Sequence, residues 1–344
     1  MIREPAFWWR PGTGALLVPL AAIYGAVAGL RMQNSGRKPG VPVICLGNLT
    51  VGGAGKTPAA VAVAQLLLAA HERPFFLSRG YGGQLSGPVR VNSATHRARD
   101  VGDEPLLLTR LAPTVVAKDR FAGAKFAHFA GASVVVMDDG LQNAAVTKDL
   151  TIVVVDGRRG IGNGHMIPAG PLRAPLGVQL EHAQALLVVG QSDGVAGLID
   201  RARRRGIALF HARLDPDAGV VAAIGRRKAL AFAGIGDPEK FFATLTACGI
   251  DVAEWASFPD HHRYTAADAR DLIARAQAKN LMLVTTEKDQ VRLVGEPGLE
   301  ALAARTSLLP VRLVIEERDA FRQMLLQALQ RGRDQSSRNQ AFGA

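Results

Sequence analysis

Cysteine is nearly missing from this chain: Cys45 and Cys248 are the only two among 344 residues. They are too few for a disulfide framework and too far apart for a metal-binding spacing, which suits a reducing cytosol. Aromatic residues make up only 6%, and none interleaves with the basic clusters Arg201, Arg203, Arg204, Arg205 and Arg226, Arg227, Lys228. The stacking platform of a single-strand nucleic-acid binder is therefore absent, and no nucleic-acid partner is expected. Acidic residues are also short, 30 against 41 Lys and Arg, giving a net charge of +11. With nucleic acid set aside, the anionic partners left are membrane surfaces and phosphorylated substrates.

The remaining composition is ordinary. Gly 37 and Pro 18 exclude a collagenous or disordered chain, and 48% hydrophobic content is ample for two cores. The anomaly is PGTGALLVPLAAIYGAVAGL, 20 residues between Arg10 and Arg31 without a charge. A signal peptide is disfavoured by the n-region, where Glu4, Trp8 and Trp9 stand. A membrane span is long enough, but Pro19 falls mid-segment and four glycines dilute the apolarity. Trp8 and Trp9 beside Arg10 read as interfacial anchors, so a helix lying at the membrane surface fits best over 1–36. A merely buried first helix is the bland alternative.

Apolar runs of strand length recur at Val43–Leu46, Pro74–Leu77, Thr114–Ala117, Ser133–Met137, Thr151–Val155 and Leu186–Val189, each followed by a helix-like stretch. That alternation predicts an α/β fold with a mostly parallel sheet covered on both faces, and ligands at the carboxyl ends of its strands. The polar stretch Leu209–Arg227 marks a boundary. The expected layout is a core over 37–222, a smaller α/β domain over 223–330 and a disordered tail over 331–344. The second domain takes in the strands Ile250–Trp255, Leu281–Thr285 and Pro310–Ile315 and a closing helix.

Residues 47–58, GNLTVGGAGKTP, follow the first strand and open an apolar helix, the context a phosphate loop requires. Gly52, Gly53 and Gly55 let backbone N–H groups turn toward phosphate oxygens, with Val51 and Ala54 between them. Lys56 would reach the β- and γ-phosphates and the Thr57 hydroxyl would ligate Mg²⁺. Thr50 stands where the pattern G-x-x-x-x-G-K-[ST] has its first glycine, a position before the nest itself. A chance glycine-rich turn is the competing reading, and the flanking strand and helix count against it.

Asp138 and Asp139 follow an apolar strand as Walker-B acids do, with Asp138 the expected inner ligand because neighbours on a strand point to opposite sides. Asp103 and Glu104 open a helix, where acids are often no more than capping residues. Arg79 and Arg120 each follow a strand and suit phosphate, with a surface ion pair as the alternative. In FPDHHRY (Phe258–Tyr264), adjacent His261 and His262 cannot easily chelate one metal, and a loop histidine after Asp260 better suits acid–base work.

With these segments in order, the sequence resembles the tetraacyldisaccharide 4'-kinase family over nearly its whole length. The match runs through the apolar N-terminus, GNLTVGGAGKTP with its threonine, SRGYGG, VGDEP, VVAKDR, VVVMDDGLQ, PAGPLR, FPDHHRY and VTTEKD. The resemblance implies a P-loop NTPase-type core, a smaller second domain and an active site in the cleft between them. It implies ATP- and Mg²⁺-dependent phosphorylation of the 4'-hydroxyl of an acylated glucosamine disaccharide 1-phosphate in lipid A biosynthesis. The setting implied is the cytoplasmic face of the Gram-negative inner membrane; a monomer is expected. By the match, Asp103 is the catalytic base and His261 positions and tunes it. Asp138, Asp139 and Glu104 serve metal binding with Thr57, and Gln142 lines the nucleotide site. Arg79, Tyr81, Arg120 and Arg173 contact nucleotide or lipid phosphates. One departure stands out: many relatives continue PAGPLR with an acid, and here Ala174 follows Arg173.

The rival reading is a membrane-associated P-loop ATPase switch, which gives FPDHHRY no role. A GTPase would be expected to carry Asn-Lys-x-Asp, which Glu287-Lys288-Asp289 does not match. A kinase of a soluble metabolite leaves the apolar segment unexplained, and a scaffold has no need of Lys56, Thr57 and Asp138 together.

Overall fold

The computed structural model describes residues 4–225 and 227–341, so Arg226 of the second basic cluster lies outside the described residues. The strands are β1 Val43–Gly47, β2 Pro74–Ser78, β3 Val89–Arg90, β4 Thr114–Val116, β5 Val134–Asp138, β6 Leu150–Asp156, β7 Ala185–Val189, β8 Ala208–Pro216, β9 Ala229–Ala233, β10 Val252–Ser257, β11 Met282–Thr285, β12 Thr306–Leu308 and β13 Val311–Ile315. Among the described residues, nine of them form a large sheet in the order β13-β8-β7-β6-β1-β5-β2-β4-β3. Its interior is parallel, with antiparallel strands at both edges. A second, parallel sheet has the order β10-β9-β11-β12.

The strands β1, β2, β5, β6 and β7 are buried at every residue, as an apolar run covered on both faces must be. Alternate side chains go to opposite faces. Ile44, Leu46, Val134, Val136, Ile152 and Leu187 join helix Lys56–Leu68 and a closing helix, Arg318–Ala341, in one core. Val43, Cys45, Val135 and Met137 pack on helix Arg120–Phe129 across the sheet.

Three parts of the expected layout change. The boundary expected within Leu209–Arg227 falls between regular elements: β8 belongs to the large sheet through Pro216, and helix Ala218–Ile224 packs on the small one. β8 runs beside the antiparallel edge strand β13, and most of its residues are only partly buried, so it lacks the apolar run that marks the other strands. The strand at Pro310–Ile315 and the closing helix, expected in the second domain, return to the large one. Leu313, Ile315, Phe321 and Leu325 pack there because the helix Lys56–Leu68 presents an uncovered apolar face to them. The expected disordered tail is helical through Ala341, held by Arg333 on Glu72 and Lys38 on Gln335; residues 342–344 lie outside the described residues.

The apolar N-terminal segment forms helix Val18–Met32, with Pro19 in its first turn rather than at its middle, where its missing N–H costs little. Its small residues Ala21, Gly25 and Gly29 face the protein, and a side chain at Gly25 would collide with Met166. The opposite face is open: Leu16, Leu20, Ile23, Val27 and Leu30 are exposed. The stretch Ala15–Met32 is apolar and long enough to cross a membrane, with 22% of it buried against the protein.

Candidate active site

The carboxyl ends of the parallel strands share one edge of the large sheet, and the loop after β1 opens there. Gly52 and Gly55 hold φ of +94° and +85°, the left-handed region glycine enters freely. Thr50 does not. It is extended, bridged antiparallel to Leu172, with Val51 N–H donating to Pro171 O at 2.9 Å and Arg173 N–H to Leu49 O at 2.9 Å. The PAGPLR segment thus forms a short ribbon with the front of the loop. A β-branched residue suits that ribbon, which is why the missing glycine does no harm.

Lys56 and Thr57 start the helix and are buried. Lys56 Nζ lies 3.6 Å from Asp139 Oδ1, and Arg173 Nη1 donates to both oxygens of Asp139 at 2.8 and 3.0 Å. Burial pushes the Lys56 ammonium down. Asp139, at φ +55°, is held well below the usual carboxylate range by Lys56 and Arg173 against the upward push of burial. Asp138 is its opposite. Both its oxygens are buried without a hydrogen-bond partner among the described residues. Burial, then the charge of Glu104, pushes its carboxyl up to about 7.

Arg120 is buried, donates to Ala117 O, and has an Nε without a partner. Burial and then the Arg79 charge push it down to about 10, so two guanidinium groups lie close on this edge. Arg173 Nε is likewise buried without a partner. Such donors fit the oxygens of a phosphate.

Gly102, at φ +89°, passes so close to Tyr81 O that no side chain fits, and this turn starts the helix Asp103–Leu108. Across the cleft, the loop after β10 carries His261, itself left-handed at φ +55°. Its Nδ1 lies 3.0 Å from Asp103 Oδ2, and its ring packs 5.1 Å from that of Tyr81. His262 turns away, stacking on Phe258 and bonding Asp268 at 3.1 Å. Against burial, the Asp103 hydrogen bond and charge raise the His261 imidazole above its usual value. Asp103 is 3% exposed, and His261, Arg292 and Lys288 together hold it far below the carboxylate range despite burial.

Two of those cations carried no role in the sequence reading. Helix Glu287–Leu293 of the small domain places Lys288 Nζ 2.6 Å from Glu104 Oε1 and Arg292 Nε 2.7 Å from Asp103 Oδ2. Their spacing of four residues on one helix face was the signal available in VTTEKDQVR. Gln142 braces the loop, its amide donating to Asn48 O at 2.9 Å and Gln179 Oε1 at 2.8 Å. Ala174 is fully buried in the core under β6 and β7.

No three of His, Cys, Asp and Glu among the described residues converge as a ready metal cluster. A P-loop magnesium site does not need one, because substrate phosphates and waters complete the shell. The unpaired, buried Asp138 is the donor that fits a cation; Asp139 and Glu104 are already answered by Arg173, Lys56 and Lys288.

The phosphate nest and Asp103 share a sheet edge, and the small domain brings His261 to meet them. Binding phosphate and accepting a proton are the two tasks of a P-loop phosphotransferase, and the fold and site define that class. The model of one family, tetraacyldisaccharide-1-P 4'-kinase, matches residues 13–330. A tetraacyldisaccharide 4'-kinase of Rhodopseudomonas palustris (strain BisA53) is 51% identical over 338 residues, 98% of this chain and 99% of its own length. One from Bradyrhizobium sp. (strain ORS 278) is 48% identical over 334 residues, 96% of this chain and 99% of its own. Among solved structures, LpxK from Aquifex aeolicus in complex with ATP superposes with a TM-score of 0.72 at 25% identity, covering 92% of this chain and 99% of that one. The chain belongs to the tetraacyldisaccharide-1-P 4'-kinase family.

Proposed function

We propose that the protein transfers the γ-phosphate of ATP to the 4'-hydroxyl of tetraacyldisaccharide 1-phosphate, a step of lipid A biosynthesis. The observation that carries this reading is the Asp103–His261 pair, 3.0 Å apart and contributed by two domains, at the edge where the phosphate loop opens. The loop from Thr50 to Thr57 holds the phosphate chain, with Lys56 on its outer phosphates. Arg79, Arg120 and Arg173 neutralise charge on the transferred group or on the 1-phosphate of the acceptor. Asp138 and the Thr57 hydroxyl would hold Mg²⁺, which supplies charge neutralisation at the phosphate oxygens. Asp103, ionised, accepts the hydrogen bond of the acceptor hydroxyl and takes its proton as a unit with His261.

The acceptor's acyl chains keep it in the bilayer. The exposed apolar face of helix Val18–Met32 supports seating on a membrane surface beside that substrate, and the use of ATP favours the cytoplasmic side. Incubation with radiolabelled ATP, Mg²⁺ and the disaccharide 1-phosphate in detergent micelles tests the reading. Label in the lipid, absent with Lys56→Ala, is the expected result. Release of labelled phosphate with unlabelled lipid would identify an ATPase switch instead.

A further inference from the structure

Arg292 bonds Asp103 directly and is tied to His261 through one shared carbonyl, that of Gly234. Its Nε and Nη2 donate to Asp103 Oδ2, the Nε contact at 2.7 Å. Its Nη1 donates to Gly234 O at 2.6 Å and to Asp289 Oδ1 at 2.9 Å. Gly234 O is also the carbonyl that receives the His261 backbone N–H, at 3.0 Å. Asp289 in turn accepts from Gly234 N–H at 3.0 Å and from the Tyr264 hydroxyl at 2.9 Å, which ties the end of the loop that carries His261 to the turn after β9. One guanidinium therefore grips the carboxylate of the large domain with one edge and, with the other, the Gly234 carbonyl on which the His261 backbone hangs. Arg292 is 6% exposed and Asp103 3%, so water does not compete for these bonds.

We propose that Arg292 is a positioning residue for phosphoryl transfer: it sets the separation and orientation of Asp103 and His261 across the cleft between the domains. The proposal rests on the reading of Asp103 and His261 as the proton-accepting pair. A planar fork suits the task where an ammonium does not, because donors on two edges must point at two domains in fixed directions. Since Asp103 lies on the large domain and Arg292 on the small one, the contact also makes assembly of the pair depend on how the domains meet. Lys288 on Glu104, one helical turn earlier, is a second fastening of the same kind. It makes no hydrogen bond to Asp103 or to the Gly234 carbonyl, so the positioning role falls to Arg292.

The test measures kcat and KM for both substrates, and thermal unfolding, in the full-length protein with Arg292→Met, Arg292→Lys, Asp103→Asn and the double variant Asp103→Asn/Arg292→Met. Arg292→Met is expected to lose kcat by about 100-fold while KM for ATP stays within about twofold. Arg292→Lys is expected to regain about tenfold of that loss, having charge without the fork. The double variant is expected to be about as slow as Asp103→Asn alone, because a residue that acts through Asp103 has nothing left to position. Multiplying losses in the double variant, or a kcat within threefold of wild type in Arg292→Met, would overturn the proposal. If Arg292→Met fails to fold, Arg292→Lys decides: a tenfold fall in kcat at an unchanged melting temperature supports the role, and full activity removes it. Normal turnover in Asp103→Asn sinks the pair itself, an outcome separate from failure of Arg292.

Discussion

Asp138 and Asp139 are neighbours in sequence and opposites in environment: Arg173 and Lys56 pair with Asp139, and no residue among those described hydrogen-bonds Asp138. An unpaired carboxylate with a pKa near 7 in the folded chain, against 3.8 ordinarily, weakens the fold wherever it must ionise. Its folded value is raised, so the favourable contribution is complete below about 4 and lost as pH rises toward and through 7. Asp138→Asn should therefore raise the melting temperature at pH 8 without Mg²⁺, by an amount equivalent to roughly 1–3 kcal/mol, while lowering transfer at least 100-fold. Calorimetry at pH 5 and pH 8 checks it; equal melting of variant and wild type at pH 8 refutes the burial penalty.

His261 carries the same linkage with a cation. Asp103 raises its pKa in the folded state, so the pair stabilises fully below about 6.5 and fades as pH rises through the raised value. Wild-type unfolding should lose stability between pH 6 and pH 8.5 by more than His261→Gln does. The same variant should lower kcat by about 100- to 1,000-fold with ATP affinity retained. A glutamine variant with wild-type turnover would leave the histidine a structural role only.

Restoring the consensus glycine should gain nothing. Thr50 is extended and bridged to Leu172, so Thr50→Gly is expected to leave KM for ATP within twofold and to lower stability by about 0.5–1 kcal/mol. Gly52→Ala and Gly55→Ala, placed at φ of +94° and +85°, should cost about 1–2 kcal/mol each and weaken ATP binding. Tighter ATP binding in Thr50→Gly would show the ribbon to be incidental.

The two faces of helix Val18–Met32 should separate in experiment. Replacing exposed Leu20, Ile23 and Val27 by serine should cut recovery with membrane vesicles and leave the melting temperature within about 2 °C. Gly25→Leu, which strikes Met166, should instead loosen the helix from the protein and expose it to protease. Unchanged vesicle recovery in the serine variant would assign membrane seating elsewhere.

Much of the fold was legible in the sequence because each strand of the sheet interior is one apolar run, and several candidate site residues follow such a run directly. Lys56 and Asp138 stand where strand, loop and helix signals put them, whereas Asp103 and His261 are singled out by the family resemblance, and the structure sets them 3.0 Å apart. Leu209–Arg227 hid β8, since a strand paired with an antiparallel edge strand and buried only in part carries no such run. The return of β13 was invisible because a strand's sheet partner is decided by long-range packing, here on Val63 and Leu67. Arg292 was missed for a similar reason. Its partners Asp103 and Gly234 are 189 and 58 residues away, so the four-residue spacing of Lys288 and Arg292 marks a shared helix face without showing what that face meets.

The pairing of β8 with β13 has a topological consequence. The chain leaves for the small domain after Pro216 and comes back at Val311, residues that stand opposite each other in the register, with Asp217 N–H donating to Pro310 O. Everything between is an insertion hung from one ribbon of two strands, and its two ends are as close as those of a hairpin turn. A graft that replaces residues 218–309 with a short turn would leave the parent sheet's pairing continuous. Such a graft would keep the phosphate loop, Asp138 and Asp103 and remove His261 together with Arg292, so the two-strand ribbon is where the site divides into separable halves.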